Sequence, residues 1–250
     1  MAATQRFAPS IVFLASFLAP LAARAQESWD AVYIAGSKVG YYHTKVEPVN
    51  DNAGNKFLRV RFDTKLNFKR DKDNVEILMQ YGTIESLEGS VLKLETRLLS
   101  GPAEQRTHGE VRGEKGDKMV LALEAGGVRQ EQEIPWGPDV RGPYAAELSL
   151  SREPMKPGQT RRIKMFTPFV NKVGYTTLTA RDNEEVELGG KVKRSLLRVE
   201  GKLTDLDGNL MLEGNSTYWV DSTGQILKTF TDVFGGQATY RTTKEVAMAP

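Results

Sequence analysis

Two histidines, His43 and His108, are the only imidazoles in a chain of 250 residues that has no cysteine. Hydrolysis of the Ser-His-Asp type would route its proton through one of them. Neither is accompanied by a G-x-S-x-G elbow, the strained turn that exposes a serine nucleophile. Both are therefore read as polar strand residues, and the hydrolase alternative is an Asp or Glu working with one of them. Zinc meets the same obstacle, since two histidines without cysteine would need carboxylates recruited from scattered strands. Asp205-Leu206-Asp207-Gly208-Asn209 sets oxygens at alternating positions in the manner of a calcium loop. Its glycine comes too early, and Ser216 stands where such a loop needs a bidentate glutamate. A tight hairpin turn is expected there instead. The residues thus imply no catalytic set, no metal and no cofactor.

Binding chemistry has more candidates. Arg106 and Arg241, each followed by threonine, would clamp an anion as a pair, or else lie on solvated strand faces beside Glu110 and Glu245. The run Met165-Phe166-Thr167-Pro168-Phe169-Val170 is apolar and leads straight into Gly174-Tyr175. With Phe62 and Leu66, the residues Phe166, Phe169 and Tyr175 would line a concave face for a hydrophobic ligand, the default being that they are core. Asn215-Ser216-Thr217 satisfies the glycosylation sequon, which matters only in a glycosylating secretory route.

The elements that hold these residues are strands. From Phe57 to Phe68, Leu58, Val60, Phe62, Thr64, Leu66 and Phe68 alternate with Arg59, Arg61, Asp63, Lys65 and Asn67, the pattern of a half-buried strand. Similar segments are expected at Val75 to Ile84, Val91 to Leu99, Met119 to Leu123, Val128 to Ile134, Thr160 to Phe166, Gly174 to Ala180, Lys191 to Leu203, Asn209 to Val220, Gln225 to Phe230 and Ala238 to Val246. Glycine-rich turns between them indicate antiparallel hairpins. Pro135-Trp136-Gly137-Pro138 interrupts the series, and Tyr144 to Leu150 is the one plausible helix.

The segments also repeat. Gly89, Leu92, Lys93, Thr96, Gly101, Ala103, Arg106, Thr107, Glu110 and Val111 recur as Gly224, Leu227, Lys228, Thr231, Gly236, Ala238, Arg241, Thr242, Glu245 and Val246. Lys38-Val39-Gly40-Tyr41 recurs as Lys172-Val173-Gly174-Tyr175 at nearly the same spacing. A period this long implies two related halves, not a solenoid. The expected organisation is a signal peptide over 1–25, a first half over 26–134, a connection over 135–158 and a second half over 159–250. The expected fold is an all-β, strongly curved antiparallel sheet, a half-barrel or sandwich, with one short helix in the connection.

Arg6, the apolar run from Ile11 to Ala23 and Ala23-Arg24-Ala25 before Gln26 read as a secretory signal. The rival, an uncleaved anchor, falls short of the roughly 20 apolar residues that span a bilayer. Cleavage after Ala25 removes Arg6 and Arg24, so Lys+Arg falls from 34 to 32 and equals Asp+Glu at 32. A neutral, interspersed surface gives no footprint for nucleic acid or anionic lipid, which need clustered cations. An exported protein without disulfides must rely on its core, and about 225 residues are enough to bury one.

Glu27-Ser28-Trp29, Lys38 to Tyr41 followed by His43-Thr44, Pro154-Met155 to Pro157-Gly158, and Tyr218-Trp219-Val220-Asp221 to Gly224-Gln225-Ile226-Leu227-Lys228 resemble the β-rich region upstream of the transglutaminase-like domain in exported bacterial proteins of planctomycete type. The Cys-His-Asp catalytic domain of those proteins has no counterpart here, and without a cysteine there is no thiol nucleophile. The resemblance implies an accessory module and carries over no catalytic residue. The expected function is an exported, non-enzymatic β module, without stable membrane insertion, that binds a partner protein or a cell-envelope polymer. The alternatives are a periplasmic carrier of a lipid or other hydrophobic ligand, and a hydrolase.

Overall fold

A computed structural model describes residues 26–70, 72–168, 170–211, 215–232 and 236–250; the expected signal peptide and Phe169 lie outside them. The strands are β1 (Gln26–Ile34), β2 (Ser37–Asn50), β3 (Lys56–Arg70), β4 (Asp73–Glu85), β5 (Val91–Ser100), β6 (Ala103–Arg112), β7 (Lys118–Ala125), β8 (Val128–Pro135), β9 (Thr160–Thr167), β10 (Lys172–Glu187), β11 (Lys193–Asp205), β12 (Ser216–Val220), β13 (Ile226–Thr231) and β14 (Gln237–Thr242). Helix α1 (Ala145–Arg152) lies between β8 and β9, and α2 (Lys244–Met248) follows β14. Among the described residues all fourteen strands form one curved antiparallel sheet in the order β8-β7-β6-β5-β4-β3-β2-β1-β14-β13-β12-β11-β10-β9. The fold is all-β, as the alternation implies.

Alternation decides which face each strand buries. On β3, Leu58, Val60, Thr64 and Leu66 are buried while Arg61, Lys65 and Asn67 are exposed. The register sets Phe62 opposite Tyr81, and Leu66 opposite Gly40 on one side and Ile77 on the other. A slip by one residue would turn this whole set to solvent. Each fully buried Val or Leu side chain is worth about 1.5–3 kcal/mol, so the register is strongly fixed.

The sequence offset has structural counterparts. The turn at 86–90 joins β4 to β5 and the turn at 221–225 joins β12 to β13; Gly89 (φ 90°) and Gly224 (φ 82°) take the left-handed position in each. Each turn is preceded by a register shift, between Ile84 and Glu85 in the first half and between Trp219 and Val220 in the second. Gly40 and Gly174 are required for a different reason. A Cβ would lie 1.9 Å from the Lys65 carbonyl oxygen at the first and 2.2 Å from that of Thr204 at the second.

Core packing closes the curve. Tyr81, Val91, Leu94, Met119 and Leu121 of the first half pack with Trp136, Val140 and Phe166, which brings β9 against β4–β7. Helix α1 lies on the concave side of the second half, where Ala146 and Leu150 pack with Leu178, Val199, Val220 and Ile226. Tyr144, at its start, packs on Val46, Leu58 and Val60. The connection also bridges strands directly, since the Arg141 amide donates to the Lys164 carbonyl (3.0 Å) and its carbonyl accepts from the Phe166 amide (2.9 Å).

Two sequence expectations are corrected. The last strand ends at Thr242 and not at Val246, because Thr243 caps a helical turn, its hydroxyl accepting from the Val246 amide (3.4 Å). Ala247 is thereby buried, and the Lys38 ammonium donates to the Val246 carbonyl at 2.7 Å. β12 begins at Ser216, not Asn209, because Asp205 closes a tight turn there. Its Oδ1 accepts from the amides of Asp207 (3.0 Å) and Asn209 (2.8 Å). This is the hairpin turn expected in place of a calcium loop.

Candidate functional site

The two repeated arginines do not form one clamp. Arg106 is on the convex face of β6, where its Nε donates to Glu104 Oε1 (2.8 Å), an oxygen shared with Arg97 (2.7 Å). Arg241 is on the concave face at the junction of the halves, its side chain 15 % exposed. It donates from Nε to Asp30 Oδ1 (2.8 Å) and from Nη2 to Glu147 Oε1 (2.6 Å), tying β14, β1 and α1 together. Neither meets Glu110 or Glu245; Glu110 pairs with Lys93 at 2.9 Å. Burial holds the carboxyls of Asp30 and Glu147 above their usual range, opposed by the Arg241 charge. Burial likewise pushes the Tyr42 phenol up to about 12, although its oxygen accepts from Gln237.

The histidines stand apart on the convex face. His43 lies between Glu27 (Nε2 to Oε1, 2.9 Å) and Asp63 (Nδ1 to Oδ2, 3.4 Å) and stacks on Trp29 at 3.9 Å between centroids. His108 is 3.9 Å from Glu95. Among the described residues no group of three or more His, Asp or Glu could hold a metal.

Phe62, Leu66 and Phe166 do not share one surface. Phe166 is 0 % exposed, tilted against Trp136 at 5.6 Å, and Phe62 packs on that same cluster. Leu66 belongs to a separate cluster with Val32 and Val39. Phe62 and Phe166 are core because Trp136 and β9 fill the concavity there, whereas Leu66 is covered by its neighbours on β1–β4.

The concave face stays open farther along. Two inward-facing cross-strand rows, Met79-Leu98-Gln105-Ala125-Val128 and Thr96-Thr107-Leu123-Gln130, run from β4 or β5 to β8. With Pro168 and Asn171 they border a cleft of about 310 Å³, which Arg106 also lines. It lies at the seam where the sheet's two edges approach. β8 forms one side, and its residues from Val128 to Glu133 are all exposed.

A second opening, about 520 Å³, lies between the turn at 86–90, the connection, α1 and the β9–β10 pair. Tyr175 belongs here, with the Arg162 guanidinium 3.5 Å above its ring. Glu85 is at the floor, only 2 % exposed. Its carboxyl is held up by burial, opposed by the Thr83 hydroxyl that donates to Oε1 (2.7 Å) and by the charges of Arg141 and Arg152. Gly142 makes room for it, since a Cβ there would be 2.5 Å from Glu85 Oε1. Reading the strand only as far as Ile84 missed Glu85; the signal lay in the repeat, which aligns it with Val220.

The fold and these openings define a barrel-like antiparallel β protein with a filled interior and with clefts beside β8 and above Glu85. No family model matches the chain, and no curated protein matches its sequence. Among solved structures it is similar to a β-barrel-like protein of domain of unknown function DUF1849 from Brucella abortus. That likeness has a TM-score of 0.54 and 13% identity over 88% of this chain and 95% of the other, and it is a likeness of fold. A DUF1089 family protein from Pseudomonas aeruginosa, 11% identical over 89% of this chain and 95% of the other, has a TM-score of 0.31.

Proposed function

We propose that this chain is an exported, non-enzymatic binding module that holds an extended segment of a partner protein along β8. The observation that carries this reading is the free edge of β8 beside an apolar-floored cleft. A strand edge offers main-chain hydrogen bonds to an added strand, and pockets beside it select alternate side chains. Met79, Leu98 and Leu123 supply such a pocket, with Gln105, Gln130 and Asn171 at hand for polar selection. Arg129, Glu131 and Glu133 on the same strand guard it against indiscriminate pairing. Export belongs to the reading through the sequence signal alone, the apolar run from Ile11 to Ala23 followed by Ala23-Arg24-Ala25.

The alternative is a carrier of a lipid or other hydrophobic ligand. The filled concavity leaves openings of about 310 and 520 Å³, and the larger is lined mainly by charged side chains instead of the apolar ones a lipid needs. A photo-crosslinker at Gln130, in protein expressed in its own host, should trap one discrete polypeptide adduct, and the same probe at Lys156 should trap none. Lipid retained in native mass spectra, with no polypeptide adduct at Gln130, would establish the carrier instead.

A further inference from the structure

The groove at Glu85 has features that a duplicated β scaffold does not need. At the corresponding place in the second half, Val220 is 1 % exposed and packs under Leu150 of α1. The first half has a carboxyl group there, and burying a carboxyl costs free energy where a valine contributes it. Among the described residues only the Thr83 hydroxyl donates to it, at Oε1. A Cβ added at Gly89, another groove residue, would lie 3.9 Å from Glu85 Oε2, so the second oxygen is turned toward that wall.

The cations around it are of two kinds. Arg161 donates to the Ser149 carbonyl (2.7 Å) and the Glu153 carbonyl (2.9 Å), Lys164 pairs with Asp139 (3.2 Å), and Arg141 donates to the Pro138 carbonyl (2.6 Å) and Ser90 Oγ (3.0 Å). These three are engaged in holding α1, β9 and the connection. Arg152 and Arg162 are exposed and have no ion-pair partner among the described residues. Arg162 sits over the Tyr175 ring, its guanidinium carbon 3.5 Å from the centroid, a cation–π contact that uses none of its N–H donors on an acceptor.

We propose that this groove binds an acidic saccharide chain, with a uronate carboxylate taken by Arg152 and Arg162 and a sugar hydroxyl donating to Glu85. Two guanidinium groups match one carboxylate in geometry and charge. Glu85, Glu88, Asp139 and Glu153 line the same groove. Acids so placed repel a densely charged polyanion but accept from hydroxyls, so a ligand that alternates carboxylates with hydroxyls fits best. The site is separate from β8 and does not depend on the partner-protein reading.

Calorimetric titration of the mature chain with tetragalacturonate, its fully methyl-esterified form, and tetraglutamate tests this. The uronate should bind, more weakly at higher salt, and the methyl ester should not. Arg152→Ala and Arg162→Ala should each weaken binding about tenfold, as loss of a charge-assisted hydrogen bond does. Glu85→Gln should weaken it by a smaller factor, and all three variants should keep the native circular dichroism and the Gln130 crosslink. Absence of uronate binding, or equal binding of the ester, would overturn the proposal. Tighter binding of tetraglutamate with Glu85→Gln silent would make the groove an acidic-peptide site and overturn the saccharide assignment.

Discussion

Arg241 and Arg106 occupy equivalent places in the repeat, yet removing them should have very different consequences. Arg241→Ala leaves Asp30 and Glu147 buried without their counter-ion, which costs about 3–5 kcal/mol for a broken buried pair. Arg106→Ala removes an exposed partner of Glu104, worth about 0–1 kcal/mol. Urea unfolding of the two variants checks the contrast, and similar midpoints would refute the assigned roles. The pH dependence carries a sign. Burial raises the folded pKa of Asp30 and Glu147, so the native state takes up protons that the unfolded state releases. A raised carboxyl costs stability above its folded pKa and not below its unfolded one. The Arg241→Ala deficit should therefore be largest near neutrality and shrink as pH falls through the raised carboxyl range. None of this was legible from the repeat, which marks matched residue types but not which face each strand turns inward. What the repeat does expose is mismatch. Glu85 opposite Val220 is readable from the 135-residue offset, provided β4 is continued past Ile84.

At the scale of elements, alternation placed β3, β4, β5 and β8 because each has residues of opposite polarity on its two faces. It failed where a local contact overrides pattern, as at Thr243, whose hydroxyl caps α2, and at Asp205, whose carboxylate closes a turn. The helix at Tyr144 to Leu150 was visible because prolines isolate it, but its role was not. Leu150 is fully buried among β10–β13 residues, and a Cβ at Gly224 would lie 2.0 Å from the Leu150 carbonyl oxygen. α1 is thus wedged between the second-half sheet and the turn at 221–225. Leu150→Ala should cost about 2–5 kcal/mol. Gly224→Ala should also destabilise, because the collision adds to an unfavourable φ of 82°. Gly126→Ala is the control, with positive φ but no atom within 4 Å of its Cβ. Thermal melts should rank Gly224→Ala well below Gly126→Ala, and equal melting temperatures would remove the wedge.

For the whole molecule, sequence order suggests pairing β8 with β9, as consecutive strands most often neighbour each other. The sheet instead joins its first strand to its last, with Trp29 opposite Thr242 and Ile34 opposite Gln237, and leaves β8 and β9 as the edges. Residue pattern cannot choose between these arrangements, since both bury the same faces. The choice lies with the connection, whose Trp136 packs into the first half and whose Leu150 packs into the second. The halves are consequently tied three ways, by the β1–β14 ladder, by the Asp30–Arg241–Glu147 triad and by Phe166 in the first-half core. Each tie crosses between halves, so losing one half exposes the apolar face of the other. The chain should then unfold in a single cooperative step. Tryptophan fluorescence and far-ultraviolet circular dichroism should give one coincident urea transition, and residues 26–158 and 159–250 expressed separately should each stay unfolded. Two resolved transitions, or a folded isolated half, would show that the halves are autonomous and that the central ladder is only a docking contact.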